Sequence, residues 1–100
     1  MRELNTMLEV QQRNHTSGGH FFDPGTMRWF KSRICGELVE HRYFITSEKG
    51  PNDKREYTIR IAHENGDITT LGMFGEYATL KRARGALQRF IKSERVILTL

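Results

Sequence analysis

Cysteine is nearly missing from this chain of 100 residues. Cys35 stands alone, so no intramolecular disulfide can form and a reducing compartment is expected. Zinc centres built on cysteine are excluded with it. His15, His20, His41 and His63 are scattered, with no second cysteine and no ligand spacing for zinc. No apolar run approaches the roughly 20 residues of a membrane span. No apolar stretch near Met1 resembles a signal peptide. The expectation is a cytoplasmic protein without a membrane partner. A Walker loop is absent, because Gly18-Gly19 has no downstream Gly-Lys-Ser/Thr. Nothing marks Cys35 as an activated thiol beside His41; it is expected to pack at a helix end, as free cysteines commonly do. Glu37 and Glu40 read as a surface pair. With no constellation for catalysis, the chain reads as non-enzymatic, with no catalytic residue, metal or cofactor.

Positive charge is what the chain does have. Its formal net charge is +4 and its pI about 9.6. Between Lys81 and Arg95 there are six basic residues and one acid, a local charge of +5, so the remainder is close to neutral. A concentrated positive surface attracts polyanions or an acidic protein surface. The alternative is an ordinary solvated helix face.

Hydrophobic patterning places that charge on a helix that follows three strands. Tyr43 to Ser47 is rich in aromatic and β-branched residues, with Tyr43 and Ile45 on one side and Phe44 and Thr46 on the other. Lys49-Gly50-Pro51-Asn52-Asp53 ends it. Glu56 to Ala62 alternates again, with Tyr57, Ile59 and Ile61 opposite Thr58 and Arg60. Asn65-Gly66 signals a tight turn, and a third strand is expected from Ile68 to Phe74. Thr79 is a good N-cap. After it, Leu80, Ala83, Leu87, Phe90 and Ile91 recur at helical spacing and should cover the sheet. Lys81, Arg82, Gln88, Arg89 and Lys92 fall on the far side, with Arg84 at the margin and Gly85 on the outer face.

Upstream, Met1 to Asn14 could form a short helix around Leu4, Met7 and Leu8, marginal in isolation. His15 to His20 reads as a linker. In FFDPGTMRWFKSR, Asp23 can cap a helix with Pro24 at its first position, and Thr26 is a rival cap. Met27, Phe30 and Ile34 make its apolar stripe, and Arg28, Lys31 and Arg33 a second, smaller positive surface. Phe21 and Phe22 should pack back on the core. Trp29 lies off the stripe, so it is either packed on the leader or exposed. Burial is the expectation for so large a ring; an exposed Trp29 beside Arg28 would suit stacking on a base or a protein contact.

HFFDPGTMRWFKSR, followed by YFITSEKGP, a Tyr-Thr-Ile strand and a Gly-Asp-Ile-Thr-Thr-Leu-Gly segment, resembles a family of small uncharacterised proteins from phages and other mobile elements. The resemblance spans His20 to about Leu87 and implies a context, not a mechanism. SEKGPNDKREYTIRI and LKRAR are similar to the first hairpin and the basic last helix of double-stranded-RNA-binding domains. That second resemblance implies a helix whose basic residues grip phosphates. Lys81 and Arg84 match two of the basic positions, Leu80 replaces the first lysine, and Asp53 stands where that family has a groove-contacting histidine.

These readings combine into an α+β expectation: α-β-β-β-α, an antiparallel three-stranded sheet with two helices packed on one face. Residues 1–19 are a flexible or weakly helical leader, 20–95 a single domain, and 96–100 an apolar tail. The expected function is a binding protein of a phage or mobile element, in the host cytoplasm. It would engage nucleic acid, or an acidic or nucleic-acid-bound protein complex, through Lys81, Arg82, Arg84, Arg89 and Lys92, with Arg28, Trp29 and Lys31 as a second surface. An inhibitor of host defence, of anti-CRISPR or anti-restriction type, is the alternative. A structural or assembly protein is the third, and the chain is a monomer or a homodimer through its C-terminal tail.

Overall fold

A computed structural model describes residues 4–99, with side chains through Arg95. The elements in order are α1 (Met7–Thr16), α2 (Pro24–Trp29), β1 (Arg33–Val39), β2 (Tyr43–Lys49), β3 (Arg55–Ala62), β4 (Ile68–Leu71) and α3 (Leu80–Thr99). The strands form one antiparallel sheet in the order β1-β2-β3-β4. Pairing such as Ile45 with Ile59 and Thr46 with Thr58 puts like side chains of β2 and β3 on the same face.

The α+β class and the antiparallel sheet agree with expectation, while the strand count and the layering are corrected. The additional strand is β1. The helix that begins at Pro24 stops at Trp29, where Phe30 caps it and Lys31 enters the left-handed region at φ 56°. Ser32 N–H then reaches Met27 O at 2.8 Å, closing the helix end in the Schellman manner. Ile34 therefore belongs to β1 and not to a helical stripe. Cys35 is likewise half-buried in β1 and not at a helix end. At the other end, β4 stops at Leu71, leaving Met73 and Phe74 exposed in the loop before α3.

Helices cover opposite faces of the sheet, not one. On the first face, Tyr43, Ile45 and Ile59 pack with Ala83, Leu87 and Ile91 of α3, the stripe expected from its spacing. On the second, Phe44 and Ala62 pack with Leu4, Val10, Phe22 and Met27 from α1, α2 and the segments flanking α1. Thr6 caps α1 by accepting from Glu9 N–H. Asn14 then ties the helix to the β3–β4 turn by donating to Gly66 O at 3.0 Å. Gly66 has φ 99°, and a Cβ there would lie 2.5 Å from Arg13 O. Backbone conformation and close approach both require glycine at this turn.

The second face also contains a buried polar network. Arg60 donates to Glu48 Oε1 at 3.0 Å, to Thr46 Oγ1 at 3.1 Å and to Thr70 Oγ1 at 3.0 Å. Thr58 donates to the second Glu48 oxygen and accepts from Gly75 N–H. The guanidinium lies 5.3–5.9 Å from the ring centroids of Phe21, Phe22 and Phe74. A carboxylate, hydroxyls and aromatic rings together satisfy one buried cation. The apolar tail expected at 96–100 lies outside the described side chains, while the α3 backbone runs on through Thr99.

Candidate nucleic-acid interface

Twenty residues make α3 about 30 Å long. Thr79 caps it by accepting from Arg82 N–H at 3.1 Å. Its inner side is fixed by the core contacts, by an edge-to-face Tyr43–Phe90 pair at 5.8 Å, and by Tyr43 donating to Glu94 at 2.9 Å. Burial, then the adjacent Glu94, push the Tyr43 phenol above its ordinary pKa. This anchoring sets the rotation of the helix, so its outward side is defined. Lys81, Arg82, Arg89 and Lys92 are all exposed there, around Gly85. Tyr77, Thr79, Lys81, Arg82, Gly85 and Arg89 line one hollow beside the start of the helix.

Arg84 is exposed but set toward β1, where it lines a groove with Cys35, Gly36, Glu37 and Gln88. Among the described residues, none of Lys81, Arg82, Arg84, Arg89 and Lys92 has a carboxylate at ion-pair distance. Arg95, counted in the same run, is paired with Glu40. Acids are absent from the first turn of α3, where the helix dipole would favour them, and Lys81 and Arg82 occupy it instead.

Arg28 and Lys31 lie on a different surface. They line a cleft with Arg33, Lys49 and Arg55, residues drawn from α2, the α2–β1 turn, β1 and the β2–β3 hairpin. Sequence spacing joined Arg28, Lys31 and Arg33 but gave no sign that the hairpin brings two further cations beside them. Trp29, expected to be buried, is 81% exposed. In a helix of six residues, Met27 alone faces the core, and the ring of Trp29 lies on the solvent side. Phe30, expected in the apolar stripe, is 57% exposed because the chain has already left the helix. Its ring keeps a neighbour in Phe21, 5.9 Å away.

Folding also assembles a group that looked scattered in the sequence. His15 at the end of α1, His20 in the linker and Asp23 at the start of α2 bring their ligand atoms within 4.8 Å of one another. His15 Nδ1 donates to Asp23 Oδ2 at 2.9 Å, and His20 Nδ1 lies 3.4 Å from the same oxygen. Asp23 occupies the N-cap position but makes no side-chain capping bond, its carboxylate being turned to the histidines. The His15 hydrogen bond is the main cause that holds the Asp23 carboxyl below its ordinary pKa. Two imidazoles and one carboxylate are a donor set that could take a divalent cation, and they equally form a complete hydrogen-bonded cluster without one.

The fold and these surfaces define a small basic α+β protein, a four-stranded antiparallel sheet between helices, with an uncompensated cationic helix on one side. Residues 6–88 match the model of a family of unknown function, DUF7447, and the chain belongs to that family. No curated protein and no solved structure matches it. Among the described residues, no helix is long and apolar enough to cross a membrane.

Proposed function

We propose that this chain is a non-enzymatic nucleic-acid-binding protein that meets the phosphate backbone with the outer side of α3. The observation that carries the proposal is the set Lys81, Arg82, Arg89 and Lys92 on that side, with Arg84 at its margin toward β1: exposed, without acidic partners among the described residues, and mounted on a helix fixed by its inner side. Cations at the N-terminal end of a helix lie against its positive pole, at about 0.3–1 kcal/mol each. A bound phosphate relieves both the dipole term and the mutual repulsion. Such contacts position a backbone but carry no base information, so affinity without strong sequence preference is the expected behaviour. The resemblance to phage and mobile-element proteins supports host cytoplasm as the place of action. Anisotropy titrations of labelled duplex and single strands at several salt concentrations test the proposal. Binding that weakens steeply with salt supports it; no salt-sensitive binding to either form rejects it.

Exposed Phe30, Met73 and Phe74 favour a second reading, a protein-directed inhibitor of host defence that docks through apolar contacts. A pull-down from host lysate with and without nuclease separates the two. Partners that survive nuclease indicate direct protein contact, and partners released by nuclease indicate bridging by nucleic acid.

A further inference from the structure

The turn between α1 and α2 gathers three ligand side chains on a fixed backbone. Ser17 N–H donates to Arg13 O at 3.0 Å, Gly18 N–H to His15 O at 3.0 Å and Gly19 N–H to Asn14 O at 2.9 Å, closing the end of α1. Gly18 allows the reversal at φ 101°. Asp23 N–H then donates to His20 O at 3.3 Å, and Gln11 Nε2 reaches from α1 to Phe22 O at 2.9 Å. Both ends of the turn are therefore tied, and the ligand atoms of His15, His20 and Asp23 meet within 4.8 Å.

Three observations favour an ion here over hydrogen bonds alone. First, both imidazoles direct Nδ1 at the same atom, Asp23 Oδ2, at 2.9 Å and 3.4 Å. His15 Nδ1 also lies 3.1 Å from Oδ1. The His20 contact is longer than the roughly 2.7–3.2 Å of an N–H···O bond. Ligands held at about 2.0–2.2 Å by one metal lie about 2.8–3.6 Å from their neighbours, from octahedral to tetrahedral geometry. Both separations are ordinary ligand edges, whereas only the shorter is an ordinary hydrogen bond.

Second, Asp23 stands at the N-cap of α2, yet its side chain makes no capping bond. An aspartate there normally accepts from a backbone N–H two or three residues on; here the imidazoles have its carboxylate instead. Third, His15 and Asp23 line a hollow of about 540 Å³ that no described lysine or arginine lines, in a chain with 16 of them. A divalent cation meets no fixed positive charge among those lining residues. The hollow has room for the waters that complete a coordination shell.

We propose that His15, His20 and Asp23 bind one divalent transition-metal ion of the zinc class, with water completing the coordination. Imidazole with one carboxylate suits zinc and its transition-series neighbours, while magnesium and calcium prefer oxygen ligands. The ion takes the place of the Nδ1 protons: each neutral imidazole keeps its one proton on Nε2 and gives the Nδ1 lone pair to the metal. It joins the last turn of α1 to the start of α2, two elements that cover the second sheet face, so binding adds to the stability of that layer. The site is independent of α3 and of the nucleic-acid reading, and either stands if the other fails.

The experiment uses the whole chain, stripped of metal by a chelator that is then removed. Zinc chloride is titrated in by calorimetry, and melting is followed with and without it, with magnesium chloride and calcium chloride as comparisons. One zinc per chain is expected, with melting raised by ~10 °C or more at a hundredfold excess over Kd. Magnesium and calcium at the same concentration should give no comparable rise. His20→Ala is the cleanest variant, because that side chain is 68% exposed and its contact with Asp23 is long. It should melt with the metal-free wild type, and its zinc affinity should fall by more than the ~10–100-fold that loss of an outer-shell partner causes. Asp23→Asn keeps the shape, removes the charge and should lose affinity to a similar degree. Cys35→Ser in β1 and His41→Gln in the β1–β2 turn alter donors elsewhere and should bind as wild type.

Five results overturn the proposal: no saturable zinc binding below millimolar concentration; an equal response to magnesium or calcium; less than one ion per chain with dimers in sedimentation, which would place the ion between two copies; wild-type affinity in His20→Ala or Asp23→Asn; or loss of binding in Cys35→Ser or His41→Gln.

Discussion

The two faces of the sheet are buried by different chemistry. The face under α3 is apolar from Tyr43 through Ile59 to Ile91. The face under α1 and α2 is apolar only around Phe44 and Ala62, and then turns into the Arg60–Glu48 network roofed by Phe21, Phe22 and Phe74. Apolar burial is non-directional and tolerant of local repacking. A buried ion pair is not, because each charge needs its own partner in a low-dielectric site. The difference predicts a rigid, geometrically specified region on the face under α1 and α2 and a more forgiving one beneath the basic helix.

The largest expected effect breaks the polar face. Glu48→Ala leaves the Arg60 cation buried without its carboxylate and should cost about 3–5 kcal/mol in denaturant melts. Replacing both partners together, Glu48→Leu with Arg60→Met, should cost far less than the single change. If the double variant is as unstable as Glu48→Ala, the pair is not the specifying element. On the apolar face, Leu87→Ala should cost about 2–5 kcal/mol, whereas Arg89→Ala, on the outer side of the same helix, should stay within ~0.5 kcal/mol. Equal destabilisation by the two would mean that α3 is rotated from the phase described.

The smallest effect concerns the link between α1 and α2. Asp23 has a lowered pKa in the folded protein because His15 donates to it. Its contribution to stability is therefore complete above the ordinary carboxylate range and is lost as the pH falls through the lowered value. Asp23→Asn should melt slightly below wild type near neutral pH and converge with it in strong acid. A gap that persists unchanged into acid would assign the effect to something other than this hydrogen bond.

Alternation and helical spacing made much of the first face legible. Tyr43, Ile45, Ile59 and Ile61 on one side of two strands, and Leu80, Ala83 and Leu87 on one side of a capped helix, are patterns of period two and 3.6. The same alternation read Thr46, Thr58 and Arg60 as a side opposite the apolar one, and nothing in their chemistry distinguished a buried network from a wet surface. β1 was missed for a related reason. It contains Gly36 at φ 85° within an irregular pairing, and its turn to β2 is Glu40-His41, both at positive φ. Hairpin turns of that shape ordinarily announce themselves by Asn or Gly, as Asn65-Gly66 does. Here the turn is held by tertiary contacts instead, Glu40 to Arg95 and His41 to Leu4 O. The basic run of α3 was visible because it is local in sequence. The cleft was not, because Arg28 and Arg55 meet only after the sheet has formed.

The central claim is that α3 meets nucleic acid through charge. Removing Lys81, Arg82 and Arg84 together takes away three charges and leaves Leu80, Ala83 and Leu87 in the core. The most direct measurement compares this variant with the wild type by anisotropy on one duplex across a series of salt concentrations. Unchanged folding, weaker binding and a salt slope flatter by about 0.9 for each phosphate no longer neutralised are predicted. A variant that binds the duplex with wild-type affinity and wild-type slope would contradict the claim.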